Sequence, residues 1–352
     1  MQSADNFPWM VAIAAALLAG LTSAALTRML SRNAIPFLRI VDHPNERSLH
    51  RTPVPRTGGV AVLIAIALGL ILLLASTAAT GPFGWIALAM ILVGGVSLLD
   101  DHCGLPQHYR LIAHAAAALL LYLGGLQWDQ IGLPGLNGAL PAWLALALTL
   151  IYIVWMINLY NFMDGMDGFA GGMAVFGFGA MATLGLIGDA PLFSMTALTV
   201  AAAAAGFLTG NFPPARIFLG DVGSSVLGLL AAVMTLWGAG LGLFPLWIGW
   251  LIFSPFIVDA SWTLLRRIVA GEPFWRAHCS HHYQRLVLAG WGHRRTLLGG
   301  YLVMAAAAAS AVAALNISVR EQWMLVLGWS AVYGLIHVRV GLAERIAQGP
   351  EQ

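Results

Sequence analysis

Apolar runs of 15 to 22 residues recur along this chain, separated by polar connections, and they decide what it can become. Each is long enough to cross a hydrocarbon core of about 30 Å as a tilted helix. The expected spans are Trp9–Leu30, Gly59–Ala75, Trp85–Leu99, Tyr109–Gly125, Pro141–Met156, Ala170–Ile187, Ser194–Gly210, Gly223–Ala239, Pro245–Leu264, Leu297–Leu315 and Trp323–Val338. Only 9% of residues are charged, against about 25% in soluble globular chains. With 59% hydrophobic residues and a mean hydropathy of +0.82, an ordinary soluble domain is excluded. The expected fold is all-α and polytopic, with about 11 transmembrane helices in one domain over residues 1–352. Forty glycines and abundant alanine suit close helix approach in lipid, where small residues serve as the packing device.

No basic residue precedes Arg28, so the first run lacks a signal peptide's basic region and reads as a retained span. Cys103 and Cys279 form neither a disulfide framework nor a thiolate knuckle. The chain has no lysine. Sixteen of its seventeen arginines fall in the connections on one side of the expected spans and only Arg320 on the other, which makes the arginine-rich side cytoplasmic. The N-terminus is then outside and the C-terminus inside. All ten histidines and most carboxylates gather on that same side, leaving the middles of the spans bare. A coupled transporter or lipid flippase, the main alternative class, usually places ionisable groups near the midplane. Chemistry at one membrane face fits better.

The arginine-rich connections carry the motifs. The first, Asp42 to Gly59, reads either as a polybasic segment drawn to anionic lipid or as a stiffened loop. In the second reading Thr57, Gly58 and Gly59 offer backbone N–H groups to an anion at a helix start. The second connection opens on Asp100-Asp101, with Arg110 beyond. Adjacent carboxylates at a helix end repel each other and resist desolvation. A surface pair between Asp101 and Arg110 would relieve this; so would Mg²⁺, which takes oxygen ligands from few protein carboxylates and from substrate phosphates.

The third connection spaces Asn158, Asn161, Asp164 and Asp167 by threes, with Gly165 and Gly168 expected to end the helix so that the aspartates turn inward. Carboxylates at a helix C-terminus oppose the macrodipole, which disfavours a purely structural role. In the fourth, Asn211 and Arg216 precede Asp221, which Gly220 and Gly223 flank at the opening of a span where backbone can approach a diphosphate. The last holds His278, His281, His282 and Arg285. His278 and His282 share a helical face. Zinc is one reading, but a hydrogen-bonding and cationic clamp for phosphates suits the surrounding arginines better. Asp259, near the end of its span, is expected to brace this loop or its metal.

With these motifs in place the sequence resembles the polyprenyl-phosphate N-acetylhexosamine-1-phosphate transferases of glycosyltransferase family 4. The likeness rests on Thr52-Pro53 through Gly58-Gly59, Asp100-Asp101, Asn158 to Gly172, Asn211 to Ser224 and the His278/His281/His282 loop, in the family's order along nearly the whole chain. The resemblance implies a multi-pass enzyme of the bacterial inner membrane with its site on the cytoplasmic face. It implies Mg²⁺, or Mn²⁺, as cofactor, a UDP-N-acetylamino sugar as donor and undecaprenyl phosphate as acceptor, with UMP released. Membrane lipids are the remaining partners; nucleic acid is not one, and the resemblance leaves room for a homodimer. By the family's pattern Asp100, Asp101 and Asp221 serve catalysis and hold the metal, and His281 and His282 join them. Asn158, Asn161, Asp164, Asp167, Asn211, Arg216, His278, Arg285, Thr57 and Gly58 would line the substrate site. The family's peptidoglycan branch carries a compact run of three histidines, which Cys279 and Ser280 interrupt here. Tyr283-Gln284-Arg285 looks more like the branch that initiates O-antigen.

Overall fold

The computed structural model describes residues 7–32, 40–42, 53–77, 81–272 and 278–348. Its helices are α1 (Trp9–Ser31), α2 (Gly58–Ala75), α3 (Phe83–Cys103), α4 (Gln107–Leu123), α5 (Ala142–Phe162), α6 (Phe169–Ile187), α7 (Pro191–Asn211), α8 (Gly220–Gly240), α9 (Leu246–Val269), α10 (His282–Leu286), α11 (His293–Ala313) and α12 (Val319–Gln348). Among the described residues ten helices are long and apolar enough to cross a membrane. The expected span Tyr109–Gly125 is α4, which at 17 residues is shorter than those ten. The protein is an all-α polytopic membrane protein. A two-stranded antiparallel ribbon, Val41–Asp42 (β1) against Val54–Pro55 (β2), lies in the connection read from sequence as a loop. Thr52, one of the residues that carry the family resemblance, lies outside the described residues.

Proline marks where many helices begin. Pro8, Pro82, Pro106, Pro141 and Pro245 precede α1, α3, α4, α5 and α9, and Pro191 opens α7. At a helix start the missing N–H costs nothing, because that donor has no intrahelical acceptor. Pro255 is different, since it lies inside α9 and cannot donate to the Leu251 carbonyl. The Ser254 hydroxyl donates to that carbonyl instead, at 2.7 Å. Other hydroxyls bond one turn back, as in Thr149 to Ala145 at 2.6 Å and Thr235 to Ala231 at 2.8 Å. No polar group of these side chains then faces lipid unpaired.

α8 is the axis of the bundle. Of its most apolar stretch 89% is buried, chiefly against α5 and α3, whereas for α12 the figure is 6%. Several helices overrun the expected spans at the arginine-rich end. α3 continues through Asp100 and Asp101, and α5 through Asn158 and Asn161, so these residues occupy last helical turns rather than loops.

The connection before α2 packs directly on the start of α8. The N–H groups of Gly58 and Gly59 donate to the carbonyls of Phe218 and Leu219 at 2.9 and 2.6 Å, and Phe218 N–H donates to Pro55 at 2.7 Å. Thr57 is buried beside them. The Gly58 and Gly59 N–H groups, read as donors to an anion, thus already serve chain carbonyls. A Cβ on Gly59 would lie 2.1 Å from the Gly223 nitrogen. Gly59→Ala is therefore expected to cost about 1–3 kcal/mol through overpacking and to lower the unfolding midpoint in detergent. Gly95→Ala, whose Cβ meets nothing within 4 Å, should leave that midpoint unchanged. Equal midpoints for the two variants would contradict the packing.

Candidate active site

Helix ends and one loop gather the acidic residues at the arginine-rich end. Asp100 and Asp101 come from the last turn of α3, Asp221 from the first turn of α8, and Asp164 from the loop after α5. Arg110 Nη1, in the first turn of α4, lies 3.0 Å from Asp100 Oδ2 and 3.1 Å from Asp221 Oδ2, bridging them. Asn161 Nδ2 donates to Asp221 Oδ1 at 3.0 Å and to Ser224 Oγ at 2.9 Å. Leu105 N–H donates to Asp100 Oδ1 at 2.6 Å.

Asp101 turns away from Arg110. Successive helical residues point about 100° apart, so Asp101 faces into the protein and is 5% exposed. Arg56 Nη2 donates to its carbonyl at 2.7 Å, with Nε 3.5 Å from Oδ1, and Val222 N–H bonds its carboxylate. The surface pair between Asp101 and Arg110 does not form. Gly220, at φ +73°, turns the chain into α8 beside this knot; a Cβ there would lie 2.2 Å from the Arg56 carbonyl oxygen.

The run spaced by threes divides at the end of α5. Asn158 and Asn161 are helical, whereas Asp164 and Asp167 lie in the loop that Gly168, at φ +75°, leads into α6. Asn158 Nδ2 donates to Val154 at 2.7 Å and lies 3.3 Å from His114 Nδ1. Burial raises the Asp164 carboxyl well above the usual carboxylate range, and the neighbouring Asp221, Asp101 and Asp167 raise it further. Asp167 Oδ2 accepts from Ala215 N–H at 2.9 Å and lies 4.0 Å from His293 Nδ1. Asn211 accepts from Gly168 N–H at 2.8 Å and donates to Ile217 at 2.9 Å. Buried and engaged at both ends of its amide, Asn211 braces the site. Arg216 is exposed, with Nη2 donating to Thr209 at 3.1 Å.

The histidine loop is built around Asp259, as expected. Its carboxylate accepts His282 N–H at 3.0 and 3.1 Å, pairs with His282 Nδ1 at 2.8 Å, and lies 3.5 Å from His281 Nδ1. His282 Nε2 sits 3.0 Å from His337 Nδ1 on α12. Arg285 Nε donates to Glu344 Oε1 at 2.6 Å, and its Nη2 binds the other oxygen. His282 and Arg285 thus tie the loop to α9 and α12. His281 is buried, stacked over Phe162 with ring centroids 6.4 Å apart, and 5.0 Å from His278. Burial, with His281 and Arg267 nearby, pushes His278 down to about 4. Tyr283 donates to the Phe162 carbonyl at 3.2 Å, tying the loop to the end of α5.

Among the described residues no three acidic, imidazole or thiol groups stand in ready-made ligand geometry. The donor chemistry still fits Mg²⁺. It is all oxygen, and four carboxylates face two guanidinium groups, with Asp164 influenced only by burial and its acidic neighbours. Arg56 and His114 belong to this site although the sequence reading did not place them there, and Arg110, read as a surface partner of Asp101, bridges Asp100 and Asp221 instead. The spacing of Arg110 and His114, one helical turn apart beside an acid pair, was the available signal.

A family model described as glycosyl transferase family 4 matches residues 82–239, from the start of α3 to the end of α8. Over 291 residues the chain is 31% identical to a probable undecaprenyl-phosphate N-acetylglucosaminyl 1-phosphate transferase of Bacillus subtilis, covering 80% of this chain and 79% of the relative. The chain belongs to glycosyl transferase family 4. Within that family it is also 30% identical to a decaprenyl-phosphate N-acetylglucosaminephosphotransferase of Mycobacterium tuberculosis, over 90% of this chain and 87% of the relative. Identity to a phospho-N-acetylmuramoyl-pentapeptide-transferase of Staphylococcus haemolyticus is 25%, over 69% and 79%. The acidic residues of α3, α5–α6 and α8 all lie inside the matched segment; the histidine loop lies beyond it.

Asp164 supplies a test of the electrostatics. Its raised carboxyl means that the folded protein holds a proton the unfolded chain has lost, so stability falls as pH rises from the ordinary carboxylate range toward the folded value. Asp164→Asn removes that dependence. The variant should unfold at a higher temperature than wild type at pH 8, with the gap closing on acidification toward pH 4. A gap that does not change with pH would contradict the burial of this carboxyl among its neighbours.

Proposed function

We propose that this protein transfers an N-acetylamino-sugar 1-phosphate from a UDP-sugar to undecaprenyl phosphate, releasing UMP, at the cytoplasmic face of the bacterial inner membrane. The product, a polyprenyl-diphosphate-linked sugar, would initiate a cell-surface glycan such as O-antigen. The observation that carries this reading is the meeting of Asp100, Asp164 and Asp221 with Asn161 and Arg110 at one end of an otherwise apolar bundle. Relatives named for polyprenyl-phosphate and N-acetylglucosamine phosphate transfer support the reaction type. Their higher identity than that of the pentapeptide transferase supports an amino sugar without a peptide.

In the reaction an oxygen of the acceptor phosphate attacks the sugar-bearing phosphorus of the donor, and the bond to UMP breaks. Both reactants are anions, so catalysis is mainly positioning and neutralisation. A phosphate monoester has its second pKa at about 6, so the acceptor arrives largely dianionic and asks little of a general base. Asp100 therefore serves positioning rather than proton abstraction. Asp221 and Asp100 would hold Mg²⁺, with Asp101 supporting them from behind, and the ion would neutralise phosphate oxygens. Arg110 is the adjoining cation, free to turn from carboxylate to phosphate. Asn158, Asn161 and Asp164 face the nucleotide sugar, and His278 and His281 border it.

The test is UMP release from UDP-N-acetylhexosamines by the purified protein. Release should require both undecaprenyl phosphate and Mg²⁺, with lipid product of the corresponding mass. Asp221→Asn should lose nearly all transfer while still folding; wild-type activity in that variant at ordinary Mg²⁺ would overturn the assignment. Asp164→Asn should bind the donor more weakly, read by UMP competition.

A further inference from the structure

Between α12 and the rest of the bundle lies a cavity of about 370 Å³ that the acidic site does not use. α12 approaches its neighbours closely mainly around α10 and the turn that follows it. Elsewhere Leu325, Val326 and Trp329 pack on the core, and side-chain ties join Tyr333 to Ser254 at 2.6 Å and Trp323 Nε1 to the Pro134 carbonyl at 3.1 Å. The space these ties span is walled by Pro255 and Val258 of α9, Val303 and Met304 of α11, and Ile336 and Val340 of α12. Such walls offer water too few partners to hold it.

Asp259 and His282, which pair with each other, line the cavity together with Tyr283 and Tyr333, and two further polar groups remain. Thr296 lines the cavity from the first turn of α11; it is 5% exposed, and its hydroxyl has no hydrogen-bond partner. An unpaired buried hydroxyl is costly, which points to an acceptor supplied from outside the chain. Arg339 of α12 also lines the cavity and is exposed. Counted from the turn joining α11 to α12 at 1.5 Å per residue, Thr296 and Arg339 lie about 26 and 30 Å away. Both are therefore at the arginine-rich end, at the depth of lipid headgroups, while the apolar walls extend toward the bilayer interior.

We propose that this cavity binds one anionic phospholipid of the surrounding bilayer, its chain between α9, α11 and α12 and its phosphate at Thr296 and Arg339. Shape and charge choose this occupant: the walls are mostly apolar, the Asp259 carboxylate that also lines the space is already paired with His282, and Arg339 with the unpartnered Thr296 hydroxyl is left for a phosphate. The lipid fills the gap beneath α12 and steadies the helix that holds His282 and Arg285 through His337 and Glu344. It takes no part in the transfer chemistry, and the proposal stands apart from that reading.

The test is lipid retention by the full-length protein, measured by native mass spectrometry after delipidation and titration with phosphatidylglycerol or phosphatidylcholine. Wild type should retain one phosphatidylglycerol in preference to phosphatidylcholine. Gly299 lines the cavity, and a Cβ there meets nothing within 4 Å, so Gly299→Phe should fill the chain space and abolish that adduct. Arg339→Gln should weaken retention about fivefold, and it keeps the test decisive if Gly299→Phe fails to fold. Equal retention of the two lipids, or undiminished retention in Arg339→Gln, would overturn the proposal. So would displacement of the bound phospholipid by equimolar undecaprenyl phosphate, which would make the cavity the acceptor's own.

Discussion

Asp100, Asp101, Asp164 and Asp221 share one end of the bundle with two guanidinium groups, Arg56 and Arg110, and much of the architecture answers to that imbalance. Two like charges 4 Å apart repel by about 4 kcal/mol at an effective dielectric of 20. Such a cluster persists only if surrounding elements hold it. α8, the most buried helix, presents Asp221 at its N-terminus, where the helix dipole favours a negative charge. α3 presents its pair at a C-terminus, where the dipole opposes them. Arg110 and the Leu105 N–H offset this for Asp100, and Arg56 and the Val222 N–H do so for Asp101. The close approach of Gly59 to α8 brings Arg56 into place.

A second polar centre is organised separately. Asp259, within α9, gathers His281 and His282, and His282 passes the connection to His337 on α12. With Arg285 and Glu344 this ties a five-residue helix to two long ones. Tyr283 then fastens the same short helix to the end of α5. The loop's polar side chains thus hold their own backbone in place.

Much of this was legible in the sequence. The apolar runs located the long helices, although α12 continues ten residues beyond Val338, and the stretches that carry Asp100, Asp164 and Asp221 were recognisable as parts of one site. What misled were residues whose type suits a ligand but whose partner is the protein itself. Gly58 and Gly59 could have cradled an anion, yet their N–H groups meet the carbonyls of Phe218 and Leu219. Asn211, His282 and Arg285 are similarly engaged. Residue type states what a group can bond, not which bond it makes.

The sequence by itself determined that this chain crosses a membrane many times and that its polar residues collect at one end. Burial of apolar surface accumulates residue by residue along a run, and charge cannot remain in lipid, so both conclusions follow from local composition. Only the tertiary structure decided that Arg110 joins Asp100 to Asp221 while Asp101 turns to Arg56. Those pairings depend on the rotational phase of each helix and on which neighbours its last turn meets, and no spacing along the chain encodes either.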